Sequence, residues 1–131
     1  MKKDIQIPEV SGVKIAAVLE YNDIYKTDDW NIYIINEKEV DLEMVFIISK
    51  GFDDKDQTST MRKKIEVLPA ESFAKVELIQ PELFKLNNQF QVSFFSENTL
   101  FDKTFTFPKD SIKEGNLRMI SSLDKRGILA K

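Results

Sequence analysis

The sequence predicts an all-β protein, an immunoglobulin-like two-sheet antiparallel sandwich of about seven strands with one short helical turn. Three observations support this class. Short runs of β-branched and aromatic residues recur along the chain, most of them alternate apolar with polar positions, and Asp, Asn, Gly and Pro residues separate them. An OB-type barrel is the structural alternative, because it is also assembled from short strands.

Seven runs carry the strand pattern. In chain order the predicted strands are Val13–Tyr21, Trp30–Ile35, Leu42–Ser49, Met61–Leu68, Phe73–Ile79, Phe90–Phe95 and Leu100–Phe107. The spacing between them is that of a single sandwich, and no internal repeat or composition break divides the chain. We therefore expect one domain over residues 1–131, with a less regular C-terminal segment at 108–131.

The third run differs from the others because it is apolar on both faces. Alternation places Met44 and Phe46 on one side of Leu42–Ser49, and Val45 and Ile47 on the other. A strand that is apolar on both faces is typical of a position inside a sheet that is covered on both sides. We expect a central strand with structure packed on each face.

The fifth run alternates more simply. In Phe73–Ile79, Val76 and Leu78 share the inner face, and Lys75 and Glu77 share the outer face. This alternation predicts a strand with one face on the core and one face in solvent.

Two connections also carry clear signals. The stretch "QPELFKLNN" predicts a short helical turn, because Pro81 suits the first helical position and Glu82 suits the positive end of a helix. The stretch "SENT" at 96–99 predicts a tight hairpin between the last two predicted strands, in which Asn98 takes a positive φ.

Composition excludes several chemistries. The 131 residues include no cysteine and no histidine, and the net charge is −3. Thiolate nucleophiles, thiolate metal sites and histidine-based catalysis are therefore absent, and an enzyme would have to rely on carboxylates, lysine, tyrosine or hydroxyl groups. We expect no enzyme activity and no cofactor.

The N-terminal stretch "MKKDIQIPEV" does not predict export. Two lysines resemble the start of a signal peptide, but Asp4, Gln6 and Glu9 interrupt the apolar segment that would have to follow. The longest apolar run, Met44 to Ile48, is far too short to cross a membrane. We expect a cytoplasmic protein without a membrane partner; periplasmic export by another route is the alternative, which the absence of cysteine leaves open.

Four stretches resemble a small bacterial family of uncharacterised function, whose members are often labelled phenylalanyl-tRNA synthetase alpha chain. They are "WNIYIINEKEVDLEMVFIISKG", "TSTMRK", "LNNQFQVSFF" and "DKRGILAK", and the resemblance runs over most of the chain. The label implies ATP-dependent charging of tRNA with phenylalanine. The residues do not support that activity, because a synthetase core needs several hundred residues, a motif arginine beside an acid and a glycine-rich stretch. The four glycines here, at 12, 51, 115 and 127, never cluster.

The stretch "SKGFDDKDQTSTMRK" at 49–63 is the candidate contact loop. A phosphate-binding loop is excluded for two reasons. Such a loop places its lysine after the glycines, whereas Lys50 precedes Gly51, the only glycine of this stretch, and the next predicted element is a strand and not a helix. The acids Asp53, Asp54 and Asp56 lack the spacing of an EF-hand calcium loop. The candidate contact residues are Trp30, Lys50, Gly51, Phe52, Asp53, Asp54, Thr58, Ser59, Thr60 and Arg62. For Trp30, core packing and an exposed binding anchor are the alternatives.

Taken together, these features predict a non-catalytic interaction module. We expect it to bind an unidentified protein partner, or a second copy of itself, through a loop or a sheet edge. The alternative is an accessory domain that contacts RNA or tRNA, and it requires the basic clusters Arg62–Lys64 and Lys125–Arg126 to meet beside exposed aromatic rings. The negative net charge argues against nucleic acid as the partner.

Overall fold

The computed structural model describes residues 10–131, so the N-terminal stretch used to predict location lies outside the described residues. Nine strands and two 3₁₀ helices occupy this range. The strands are β1 (Val13–Asn22), β2 (Thr27–Asn36), β3 (Leu42–Phe52), β4 (Met61–Leu68), β5 (Ser72–Ile79), β6 (Asn87–Ser96), β7 (Thr99–Phe107), β8 (Arg118–Ile120) and β9 (Lys125–Leu129). The 3₁₀ helices are Pro81–Leu83 and Glu114–Asn116.

The strands form two antiparallel sheets that pack face to face. One sheet has the order β5-β2-β1-β9-β8, and the other has the order β4-β3-β6-β7. The predicted two-sheet antiparallel sandwich is confirmed, and the OB-type barrel is wrong because the strands do not close into one barrel. All seven predicted strands are present, and two further strands lie in the C-terminal segment.

The main core lies between the sheets and takes its residues from alternate positions. Ile15 and Ala17 of β1 and Ile32 and Ile34 of β2 are fully buried on one side, and Phe90, Val92 and Phe94 of β6 face them from the other sheet. Because side chains on a strand alternate between its two faces, these spacings bring each set onto one surface. The alternation in the sequence is therefore the direct cause of the sandwich.

The expectation for β3 is half correct. The strand is central, because it pairs with β4 on one side and β6 on the other. Its second face is not covered, since Met44 and Phe46 are exposed. The register against β6 shifts between Glu43 and Phe46, and Met44 has a φ of 50° at this irregularity. The irregularity leaves Val45 in the core and turns Met44 to the solvent-facing side.

A second irregularity changes the orientation of β5 residues. Tyr33 of β2 pairs with Lys75, but Ile32 pairs with Glu77, so Val76 is an extra residue in the ladder. Because Ile32 is fully buried, its partner Glu77 also starts on the core-facing side of the sheet. The predicted alternation is therefore wrong at Leu78, which is exposed, and at Glu77, which points inward.

The C-terminal segment 108–131 extends the five-stranded sheet. β9 pairs with β1 and β8 pairs with β9, so both short strands add to one edge. Ile120 and Leu123 cover Ala16 and Val18 and form a second, smaller apolar cluster on the outer face of this sheet. Lys131 also exchanges backbone hydrogen bonds with Thr106 of β7, which ties the end of the chain to the opposite sheet.

Both predicted connections are present. Pro81–Leu83 forms a 3₁₀ helix with Pro81 at its first position, as the sequence predicted. The β6–β7 hairpin turns through Glu97 and Asn98, which have φ values of 49° and 66°. Two successive positive φ angles are the geometry of a type I′ turn, whose twist matches that of the paired strands.

Candidate functional site

The candidate contact loop is ordered by its own side chains. The Asp53 carboxylate accepts backbone N–H bonds from Lys55 and Asp56, and these bonds lower the pKa of Asp53 below its ordinary value. Phe52 and Gln57 also form an isolated antiparallel β-bridge across the turn. The carboxylate of Asp53 therefore stabilises a tight turn, while Asp54 is exposed.

The beginning of the candidate loop belongs to β3, because that strand continues through Lys50, Gly51 and Phe52. The φ of Gly51 is not positive, so the residue is needed here for space. A Cβ on Gly51 would lie 3.2 Å from Asn88 Oδ1 and 3.3 Å from Thr58 Cγ2. The Gly51 N–H donates to Thr58 Oγ1 at 2.8 Å, which holds the returning chain against the strand.

Beside this loop, a cleft opens between the two sheets, which we call the inter-sheet cleft. Its volume is about 280 Å³, and it is lined by Ser49, Lys50, Gly51, Thr58, Ser59, Met61, Glu77, Leu83, Asn88 and Phe90. Four of the predicted contact residues, Lys50, Gly51, Thr58 and Ser59, therefore lie around one cavity. Thr60 and Arg62 are not part of the cleft lining and are exposed.

Glu77 is the chemically distinctive residue of the inter-sheet cleft. Its Oε1 accepts a hydrogen bond of 2.7 Å from Ser49 Oγ, which joins β5 of one sheet to β3 of the other. Burial raises the pKa of Glu77 above its ordinary value, and the Ser49 hydrogen bond offsets only part of that effect. The cleft therefore contains a partly buried carboxylate whose ionised form is disfavoured.

The sequence pattern did not indicate Glu77 or Asn88 as site residues, and it included Ser49 only as the first residue of the candidate contact loop. Alternation assigned Glu77 to the solvent face, and only the extra residue Val76 turns it inward. Asn88 resembles an ordinary helix-stop residue in the sequence, but its Nδ2 donates to the backbone carbonyls of Leu83 and Leu86. No local pattern in the sequence distinguishes these side chains from solvent-facing ones.

Trp30 belongs to the core. Only 8% of the residue is exposed, and its ring makes an edge-to-face contact with Phe84 at a centroid distance of 5.8 Å. Of the two alternatives for Trp30, the structure selects core packing. The indole is therefore not available as an exposed binding anchor.

A group of five exposed apolar side chains lies on the outer face of the four-stranded sheet. We call it the outer patch, and it consists of Met44, Phe46, Val67, Phe95 and Leu100. The ladders place Val67, Glu43, Phe95 and Leu100 in one row across all four strands, and Phe46 lies in the adjacent row. Met44, Val67 and Phe95 also line one shallow depression of about 380 Å³.

Within residues 10–131, no group of three Asp, Glu, His or Cys side chains is arranged to hold a metal ion. The described part of the chain also contains no helix that is long and apolar enough to span a bilayer.

The two basic clusters do not meet. Arg62 and Lys64 lie on β4, an edge strand of the four-stranded sheet, whereas Lys125 and Arg126 lie on β9 of the other sheet. Lys125 also pairs with Glu20 at 3.0 Å. The continuous basic surface that the RNA alternative requires is not formed by these residues.

Comparison with known proteins gives no further guide to the family. No protein-family model, no curated protein and no solved structure matches the chain.

Proposed function

We propose that this protein is a non-catalytic association module that pairs with a second copy of itself through the outer patch. The observation that carries the proposal is the exposure of five large apolar side chains on one sheet face. Their exposed fractions are 52% for Met44, 40% for Phe46, 48% for Val67, 40% for Phe95 and 56% for Leu100. Contiguous apolar surface of this kind marks interaction sites on monomers.

The size of the outer patch fits a protein interface. With about 200 Å² for each large apolar side chain, the exposed fractions amount to roughly 450 Å² of apolar surface. A standard interface buries about 800 Å² on each partner, and somewhat more than half of that area is apolar. The outer patch therefore supplies about the apolar area that one side of such an interface requires.

The arrangement of charges favours a second copy as the partner. The ladders place Lys64 of β4, Phe46 and Ser93 in one row with Asp102 of β7. A two-fold axis parallel to the strands and midway between β3 and β6 exchanges β4 with β7. It therefore brings Lys64 of one copy opposite Asp102 of the second copy. Such self-complementarity is the requirement of a two-fold interface.

The same axis also matches the apolar residues at the rim. Val67 of β4 and Leu100 of β7 lie at opposite ends of one row. The two-fold rotation places Val67 of one copy opposite Leu100 of the second copy, so apolar side chains meet on both sides of the centre. The rim pair of Val67 with Leu100 and the charged pair of Lys64 with Asp102 therefore fit the same axis, which also places Glu43 opposite Phe95.

The sheet edges favour association through the outer patch over the addition of a partner's strand to an edge. Lys63 on β4 pairs with the core residue Ile47, and Lys103 on β7 pairs with the core residue Val92. Both lysines therefore leave an edge strand on the side that faces the core. An inward-pointing lysine disfavours pairing with another strand. β8 has only three residues and β5 contains the irregularity at Val76, and both features also discourage an added strand.

Sedimentation velocity over a concentration range of about 1 to 300 μM tests the proposal, because a weak interface of this size gives micromolar affinity. We expect a reversible monomer–dimer equilibrium that Phe46→Glu abolishes, since the new carboxylate would lie at the centre of the outer patch. Ile24→Glu is the matched control, because Ile24 is 83% exposed in the β1–β2 hairpin of the other sheet. A monomer at every concentration, or an equal effect of both substitutions, would overturn the proposal.

We also propose the immunoglobulin-like class and a cytoplasmic location. The class is supported by the neighbours β1-β2-β5 and β3-β6-β7, which correspond to strands A-B-E and C-F-G of immunoglobulin domains. β4 differs from the constant-type pattern, because it lies beside β3. The cytoplasmic location stays a prediction from the sequence, because residues 1–9 lie outside the described part of the chain.

A further inference from the structure

The inter-sheet cleft is separate from the outer patch and has a different chemistry. It opens between the sheets, and Ser49, Glu77 and Phe90 line its floor from three strands. Ser49 and Phe90 pair with each other in the ladder and are both buried. Glu77 itself pairs with Ile32 of β2, and its carboxylate accepts the Ser49 hydrogen bond, so residues in paired strands hold it in place.

The negative charge of Glu77 has no partner of opposite sign among the described residues. The ion pairs found within residues 10–131 join Lys14 to Glu37 and Lys125 to Glu20, and neither includes Glu77. Lys50 also lines the cleft, but its Nζ lies 5.7 Å above the ring of Phe52. Among residues 10–131, Ser49 donates the one hydrogen bond found to this carboxylate, which can accept several.

The remaining walls are suited to a short aliphatic chain. Met61, Leu83 and Phe90 provide apolar surface, and Thr58 and Asn88 add polar atoms to the lining. Both N–H groups of the Asn88 amide are engaged by the carbonyls of Leu83 and Leu86, so its Oδ1 remains as an acceptor on the side of Gly51. The cleft therefore combines oxygen acceptors with apolar walls.

We propose that the inter-sheet cleft binds a primary ammonium group carried on a short aliphatic chain. An ammonium is compact, has three donors and no acceptor, and forms a charge-assisted hydrogen bond with a carboxylate. The volume of about 280 Å³ suits one side chain or a small amine better than a drug-sized molecule. A divalent cation fits less well, because within the described residues no second or third carboxylate joins Glu77 in the cleft.

The same chemistry has two sources, a free alkylamine and a lysine side chain of a peptide. Two probes distinguish them: n-butylamine, and Nα-acetyl-lysine amide, which carries the same chain on a peptide backbone. Titration of the ¹⁵N-labelled full-length protein in amine-free phosphate buffer at pH 7.5 measures both by NMR. Tighter binding of n-butylamine indicates a small-molecule site, and tighter binding of the lysine amide indicates a site for a protein side chain.

We expect saturable shifts at the backbone amides of Ser49, Thr58 and Asn88, with a dissociation constant on the order of 1 mM for so small a ligand. n-Butanol, which has the same chain without the charge, should cause no saturable shift. Glu77→Gln should weaken amine binding at least tenfold while the fold is retained. Glu39→Gln is the matched control, because Glu39 is exposed in the connection between β2 and β3 and lines neither the cleft nor the outer patch.

An equal response to n-butanol, or unchanged amine affinity in Glu77→Gln, would overturn the proposal. The inference does not depend on self-association, because Glu77 lies between the sheets and outside the outer patch. Glu77→Gln should therefore leave the sedimentation behaviour unchanged, and Phe46→Glu should leave amine binding unchanged. The two proposals can fail independently.

Discussion

Charge reversal across the proposed two-fold axis tests the geometry of the interface more sharply than loss of an apolar residue. Lys64→Glu places an acid opposite Asp102 of the second copy, and Asp102→Lys places a base opposite Lys64. Each change alone should weaken the dimer, because an attractive contact becomes a repulsive one. Combining both changes restores opposite charges in reversed order, so the double variant should regain most of the affinity.

The expected magnitude follows from symmetry. Each dimer contains the contact between Lys64 and Asp102 twice, and an exposed ion pair contributes about 0.5 kcal/mol. Replacing two attractions by two repulsions of similar size changes the association free energy by about 2 kcal/mol. That change raises the dissociation constant roughly 30-fold, since about 1.4 kcal/mol corresponds to a factor of ten. The effect should shrink at about 1 M salt, where the Debye length falls to about 3 Å.

Sedimentation velocity on the wild type, both single variants and the double variant measures this cycle. Lys63→Glu is the matched control, because Lys63 neighbours Lys64 on β4 but starts on the core-facing side. Equal weakening by Lys63→Glu and Lys64→Glu would indicate a general effect of net charge. That result, or a double variant no stronger than the single ones, would refute the proposed axis.

Two further predictions concern stability. Burial raises the pKa of Glu77 in the folded protein above its value in the unfolded chain. The contribution of this carboxyl group to the free energy of unfolding is therefore complete below the unfolded pKa and is lost as the pH rises through the folded pKa. Glu77→Gln does not titrate, so we expect its melting temperature to match the wild type near pH 4 and to exceed it at pH 8; an unchanged difference across this range would contradict the assignment. In Gly127→Ala, the new Cβ would lie 2.9 Å from the carbonyl oxygen of Ala17, which cannot rotate away. We expect a loss of about 1–3 kcal/mol, which for 131 residues lowers the melting temperature by roughly 4–11 °C. Gly115→Ala is the control, because nothing lies within 4 Å of its Cβ position, and an equal loss there would refute the explanation.

The candidate loop shows how far a sequence pattern can be interpreted. Its acids and hydroxyls suggested a contact surface, and Thr58 does line a cavity. Asp53, however, is used to close its own turn, and Trp30 is buried. Composition pointed to a stretch that borders the inter-sheet cleft, but the roles of individual side chains depended on backbone groups that the sequence does not specify.

The outer patch gives the opposite case. The sequence indicated two apolar faces for β3, and it could not tell whether the second face would be covered by this chain. In the structure Phe46 and Met44 remain exposed. The same pattern that predicts a buried strand therefore becomes, in the folded chain, the main support for an interaction surface.

The sequence by itself determined the class of the fold and the limits of its chemistry. Alternation placed all seven predicted strands, the "SENT" stretch specified its hairpin, and the absence of cysteine and histidine excluded whole groups of reactions. These features are local, since they depend on residue type and on spacing within a few positions.

Only the tertiary structure decided which faces the key side chains occupy. The irregularities at Met44 and Val76 arise from pairing with distant strands, and each shifts a register by one residue. Because side chains on a strand alternate, a shift of one residue moves every later side chain to the opposite face. That shift turned Glu77 into the inter-sheet cleft and Leu78 toward solvent, and no local pattern could have indicated it.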